Sequence, residues 1–147
     1  MTKLQAIRDF CSFVCEDKVT IAKDRYPFNN WGMNIGEKHP RLKLPKHIPC
    51  DIEEVDKIFR KDFVNRCKMA QGFSHVTLTL LHECGHWATR SVINIAEYCR
   101  LRAKVNSEEE YLAIPWERLA TEWAICWLNS PANRKVAKQF EKNYFNY

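Results

Sequence analysis

The chain has no apolar run of the roughly 18 residues needed to cross a bilayer, so a membrane-spanning role is not expected. It has no signal-peptide core near its start either. After Met1-Thr2-Lys3-Leu4-Gln5, Arg8 and Asp9 interrupt the apolar residues. A cytoplasmic protein is the expectation. The cysteines form no CxxC pair and no finger-like spacing. There are seven, at Cys11, Cys15, Cys50, Cys67, Cys84, Cys99 and Cys126, and an odd number in an unsecreted chain points to reduced thiols rather than a disulfide frame. Cys11 and Cys15 could bind metal or be buried, and burial is the commoner fate of a free thiol. No repeat, low-complexity tract or linker interrupts the sequence, so one domain over residues 1–147 is expected.

Apolar residues make up 46% of the chain, which excludes a largely disordered protein. The net charge is +5, but the bases are spread out. One group is Lys57, Arg60, Lys61, Arg66 and Lys68, another Arg100, Arg102 and Lys104, a third Arg134, Lys135, Lys138 and Lys142. Such spreading is typical of solvated helix faces. Weak attraction to nucleic acid or an acidic partner is compatible with this charge, but no interleaved aromatic residues make a nucleic-acid motif.

The most informative stretch is His82-Glu83-Cys84-Gly85-His86, which reads HExxH. Two imidazoles four residues apart lie on one side of an α-helix, about one turn from each other. They can bind one Zn²⁺ through neutral ring nitrogens. Glu83 then hangs beside the metal as a base for its bound water. The preceding residues, Ser74 to Leu81, are largely apolar and free of proline, with Ser74 suited to the N-cap. Gly85 weakens such a helix by about 1 kcal/mol relative to Ala. Its lack of a side chain leaves room for something packed closely there, such as a second helix carrying metal ligands. Cys84 points away from the ligand side and is read as packing.

A catalytic zinc site takes three protein ligands and one open position. Pro115 to Leu128 is the best source of the third, with Pro115 suited to a first helical turn. Ala120, Ala124, Trp127 and Leu128 share a face that Glu117 continues. A carboxylate on a buried face is costly unless paired or bound to metal. Glu122 lies about 140° away around the helix and is held in reserve as ligand. Thr121, one turn after Glu117, could hydrogen-bond a ligand histidine. His75, Arg90, Tyr98 and Tyr111 are available as hydrogen-bond donors to a developing oxyanion, with no choice among them. His75 lies two turns before His82 and cannot reach the same ion along that helix.

The rest of the chain reads as helices around a small sheet. Helices are expected over residues 3–23, 51–68 (with Asp51 as N-cap), 74–88, 91–103, 115–129 and from Ser130-Pro131 onward. Ser107 with Glu110 makes a capping box. Short strands are expected near Trp31–Ile35 and Arg41–Leu44, in a region rich in Pro, Gly and Asn. The fold class is thus α+β, mostly helical with a small antiparallel sheet. Arg41–Leu44 is the candidate edge strand to hold an extended substrate by its main chain, on fold analogy.

Residues Thr79 to Thr89 resemble the "TLLHELGHWT" block of the ArdC-like antirestriction zincins, found on plasmids and phages. Glu117 to Ala124 is similar to that family's "EELxAE" helix and to the "ExxANxFA" helix of the ImmA/IrrE-type metallopeptidases. Arg41-Leu42-Lys43-Leu44-Pro45 sits where ArdC-like domains carry a short strand ending in proline. The resemblance spans roughly residues 40 to 130. It implies a gluzincin-like zinc peptidase domain with His82, His86 and Glu117 as ligands and Glu83 as base. Its substrate would be a specific intracellular protein or peptide, its source a phage or other mobile element. Cys84 stands in place of the family's Leu, Thr89-Arg90 in place of Gly-His, and Thr121 in place of the ImmA-type Asn or Asp. The plasmid proteins' single-strand-DNA-binding domain is not expected, since these residues leave no room for it. Two other readings keep the zinc without hydrolysis: an antirestriction or host-takeover binding protein, and a zinc-stabilised part of a larger assembly.

Overall fold

The computed structural model describes residues 1–23, 31–45 and 57–146. The architecture is α+β: seven α-helices and one three-stranded sheet among the described residues. Helix α1 (Lys3–Cys15) is capped by Thr2, whose hydroxyl accepts from the Gln5 amide at 3.1 Å. Ala6, Ile7, Phe10, Cys11 and Val14 are its buried stripe, at the 3–4 spacing that an amphipathic helix needs. The helix ends at Glu16, which adopts a left-handed φ of 52° and returns its N–H to the Phe13 carbonyl. Asp17 then accepts from the Lys18 amide at 2.7 Å, and the chain turns out of the helix. Val19, Thr20 and Ile21 follow, β-branched residues that suit a strand.

That strand, β1 (Thr20–Lys23), corrects the expected helix over 3–23, which stops at Cys15. Strands β2 (Gly32–Asn34) and β3 (Arg41–Leu44) form where the sequence places them. The sheet order is β1-β3-β2, with β1 parallel and β2 antiparallel to β3. The sheet is therefore mixed, not wholly antiparallel. β3 is also its central strand, with Leu42 paired to both Ile21 and Met33. Its main-chain edges are used by its neighbours, so it is not an edge strand that could hold a substrate. Leu42 and Leu44 are buried while Arg41 and Lys43 are exposed, the alternation of a sheet covered on one face.

Helix α2 (Lys57–Arg66) leads through a 3₁₀ turn to α3 (His75–Ala88). The expected Asp51 cap and Cys50 lie outside the described residues. Every residue of α3 from His75 to Trp87 is buried. It is the central helix, packed by α1, by β2 and above all by α6 (Pro115–Leu128). Short α4 (Ile95–Arg102) and α5 (Glu108–Leu112) lead into α6, and α7 (Pro131–Phe145) closes the chain against α1. Phe10 stacks on Phe140 with ring centroids 4.5 Å apart. Ser74, Ser107 and Ser130 cap α3, α5 and α7 as the sequence suggests. No described helix is long and apolar enough to cross a membrane.

One buried contact sets where α3 begins. Glu141 of α7 is 1% exposed. Its carboxylate accepts from the Ser74 amide at 2.5 Å and from the Thr77 hydroxyl at 2.7 Å. A negative group at a helix N-terminus also meets the positive end of the helix dipole. Glu141→Ala leaves these two donors buried without their acceptor. It is expected to lower stability by about 3 kcal/mol, or Tm by roughly 6–12 °C. Thermal unfolding followed by circular dichroism measures this, and a loss under about 1 kcal/mol would remove the cap from the account.

Candidate metal centre

The centre forms where α3 and α6 cross. Helix α3 presents His82 and His86 one turn apart, and α6 presents Glu117 and Thr121 one turn apart. All four are buried. Glu117 Oε1 lies 2.9 Å from His82 Nε2 and 2.8 Å from His86 Nε2. One ligand atom from each of these three residues falls within 4.8 Å of the others. This buried cluster could hold a metal ion.

The donor set fits one. Tetrahedral zinc bonds of ~2.0–2.1 Å hold ligand atoms about 3.3 Å apart, so small side-chain rotations would seat the ion. His82 Nδ1 lies 2.9 Å from the Thr121 hydroxyl. With Thr121 as acceptor, the proton sits on Nδ1 and the Nε2 lone pair faces the cluster. His86 is held differently. Its Nδ1 is buried with no hydrogen-bond partner among the described residues, and its ring packs on Trp116 with centroids 4.1 Å apart. Phe59 meets the His82 ring edge-on at 5.4 Å.

The close approach of the two helices explains Gly85. A Cβ at this position would fall on the Ala120 carbonyl oxygen and 3.0 Å from Ala120 Cα. The backbone of α6 occupies the space that a side chain would take.

Glu117 is the pivot of the electrostatics. Burial alone raises a carboxyl pKa, but the contacts with His82 and His86 outweigh it and hold Glu117 well below the usual range. Its second oxygen, Oε2, accepts from Tyr98 OH at 2.5 Å and Tyr111 OH at 2.9 Å. Both phenols are pushed up, first by burial and then by the Glu117 charge, Tyr98 to about 12.

Glu83 sits in a different environment. It is 8% exposed and has no hydrogen-bond partner among the described residues. Burial pushes its carboxyl up to about 7; the nearby His82 lowers it and Glu117 raises it. Burial without a hydrogen-bond donor among the described residues disfavours its charged form, and a pKa near neutrality suits proton transfer.

The remaining sequence candidates separate cleanly. Glu122 is exposed on α6, 3.5 Å from Arg118, and does not reach the cluster. His75 lies edge-on to Phe59 at 6.0 Å and beside Thr79, outside the ligand group. Arg90 stacks on Trp87 and donates to its carbonyl at 2.7 Å. Cys84 is fully buried, with the thiols of Cys11 and Cys15 on α1 as neighbours. The Cys11 thiol and burial push the Cys84 thiol up, and the Cys15 thiol opposes them. That is the behaviour of a packing residue rather than a nucleophile.

The sequence names Tyr98 and Tyr111 only as available oxyanion donors, whereas both hydroxyls donate to Glu117, and it does not mark Trp116 as a partner of His86. Tyr111 lies six residues before Glu117, so a short α5–α6 link was a local hint. Nothing local tied Tyr98 to Glu117. Searches of protein-family models, curated proteins and solved structures find no match to the chain.

Proposed function

We propose that this protein is a zinc-dependent metallopeptidase of the ArdC-like or ImmA/IrrE-like kind, acting on a specific protein in the cytoplasm and carried by a phage or other mobile element. The observation that supports it most is Glu83. A site built only to brace the fold has no use for a buried carboxylate next to its ligands and bonded to none of the described donors. A hydrolase needs one there as a base.

His82, His86 and Glu117 would hold the ion. When bound, zinc supplies a Lewis acid that polarises a carbonyl and makes water acidic enough to attack near neutral pH. Glu83 takes the proton of the attacking water and returns it to the leaving amine. Thr121 keeps the His82 ring in one tautomer and orientation. Trp116 fixes the His86 ring by packing. Phe59 and Trp116 exclude water from the sides of the cluster, which strengthens the electrostatics within it.

The test begins with metal analysis of the purified protein. One zinc per chain is expected, and its loss in His82→Ala. The loaded protein is then incubated with a proteome-derived peptide library and new N-termini are read by mass spectrometry. Cleavage at a narrow set of sequences, lost on chelation and restored by zinc, is the expected result. Absence of a stoichiometric transition metal, or a loaded protein that yields no new termini, overturns the proposal.

A further inference from the structure

The two oxygens of Glu117 have separate tasks. Oε1 faces the imidazole nitrogens of His82 and His86 at 2.9 and 2.8 Å. Oε2 faces the hydroxyls of Tyr98 and Tyr111 at 2.5 and 2.9 Å. We propose that Tyr98 and Tyr111 are positioning residues that make Glu117 a one-oxygen metal ligand, and that Tyr98 thereby couples metal binding to the docking of α4. The inference rests on the metal-centre reading above.

A carboxylate can bind a cation through one oxygen or both. Binding through both would fill the position that a catalytic zinc keeps open. A carboxylate oxygen has two acceptor sites, and here two phenols occupy both sites of Oε2. Turning that oxygen toward the ion would break two hydrogen bonds in a half-buried setting. The phenols therefore decide which oxygen is the ligand. They come from different elements, so the constraint does not depend on one local turn.

The coupling follows from how α4 is attached. None of its residues is buried, and only Tyr98 and Leu101 are even half-buried. Ile95, its first residue, and Val92, three residues before it, are 64% and 65% exposed. The contacts of Tyr98 run straight to the centre. Its hydroxyl binds Glu117, and its ring meets Trp116 edge-on at 5.2 Å, where Trp116 in turn packs on His86. Anything that fixes Glu117 and His86 also fixes the platform under Tyr98. A helix with few buried contacts opens at low free-energy cost, so ligand binding to its platform shifts its opening equilibrium.

Tyr98→Phe and Tyr111→Phe keep the rings and remove one hydroxyl each, and the double variant removes both. Zinc affinity is measured by chelator competition, and coordination by the visible spectrum of the Co²⁺-loaded protein. Each single variant is expected to bind zinc about 10-fold more weakly, and the double variant up to about 100-fold. The Co²⁺ spectrum of the double variant should shift from four-coordinate toward five-coordinate as Oε2 joins the ion. Hydrogen exchange of residues 95–102 should slow on zinc binding in the wild type and in Tyr111→Phe, and clearly less in Tyr98→Phe, which keeps only the ring contact with Trp116. Unchanged affinity and spectrum in variants that bind metal overturn the positioning role. Zinc-dependent protection as large in Tyr98→Phe as in the wild type overturns the coupling. A wild type that binds no stoichiometric metal overturns the underlying centre instead. Either single variant carries the affinity test if the other fails to fold.

Discussion

Glu83→Gln is expected to lower peptide hydrolysis by about 10²- to 10⁴-fold while leaving the zinc content at one per chain. Gln has the shape of Glu but cannot accept a proton in the working range. The residue supplies no ligand atom to the cluster of His82, His86 and Glu117, so metal should remain. The same change should stabilise the metal-free protein, in a pH-dependent way. Folding raises the Glu83 carboxyl from 4.5 to about 7, so the folded state favours the protonated form. The contribution of Glu83 to stability is greatest below pH 4.5, is lost as pH rises from there to about 7, and stays lost above that. Gln has no such dependence. At pH 8 the metal-free variant should exceed the wild type by on the order of 2–3 kcal/mol, and at pH 4 the two should match. Thermal scans of chelated protein at both pH values measure this. Loss of function with gain of stability is the mark of a residue kept for chemistry. Cleavage within about tenfold of wild type would remove Glu83 from the reaction. A biological effect that survives the substitution would favour the binding-protein reading over hydrolysis.

The two ligand helices are readable because their signals are local. Ser74 and Pro115 mark their starts, His82 and His86 keep helical spacing, and a buried face selects Glu117 over Glu122. Even the contact between the helices leaves a trace, since Gly85 is poor for a helix unless something lies against it. What could not be read depends on partners distant in sequence. The carboxylate that caps α3 comes from residue 141, across a separation of 67 residues from Ser74. Tyr98 reaches Glu117 from a short exposed helix whose own pattern names no target. Strand β1 was hidden because Val19 prolongs the apolar stripe of α1, and only the turn at Glu16 and Asp17 ends it. Alternation along Arg41–Leu44 identifies a strand and its buried face, but it carries no information about which strands lie beside it. Strand order is a property of the whole sheet, so the edge assignment failed while the strand itself was found.

Gly85→Ala tests the packing on which the centre depends, and two opposing effects decide its sign. In an isolated helix, replacing Gly by Ala is favourable by about 1 kcal/mol, because glycine loses more backbone freedom on folding. In this protein the new methyl would lie on the Ala120 carbonyl oxygen and 3.0 Å from Ala120 Cα and carbonyl carbon. These are backbone atoms inside α6, so no side-chain rotation relieves the overlap. Overpacking a close contact costs typically 1–3 kcal/mol and occasionally more. The overlap with rigid backbone belongs at the upper end, so it outweighs the propensity gain and the variant should be less stable by about 1–2 kcal/mol. The alternative to bearing that strain is for α6 to move away from α3. Glu117 lies less than one turn before Ala120, and Thr121 is the next residue, so both would move with it. The carboxylate would then withdraw from two imidazoles that stay on α3, and zinc affinity should fall by at least about tenfold. Calorimetry and chelator competition on the same sample separate the two effects. A variant as stable as the wild type with full zinc affinity would mean that residue 85 does not set the spacing of the helices, and that the centre is held by other contacts.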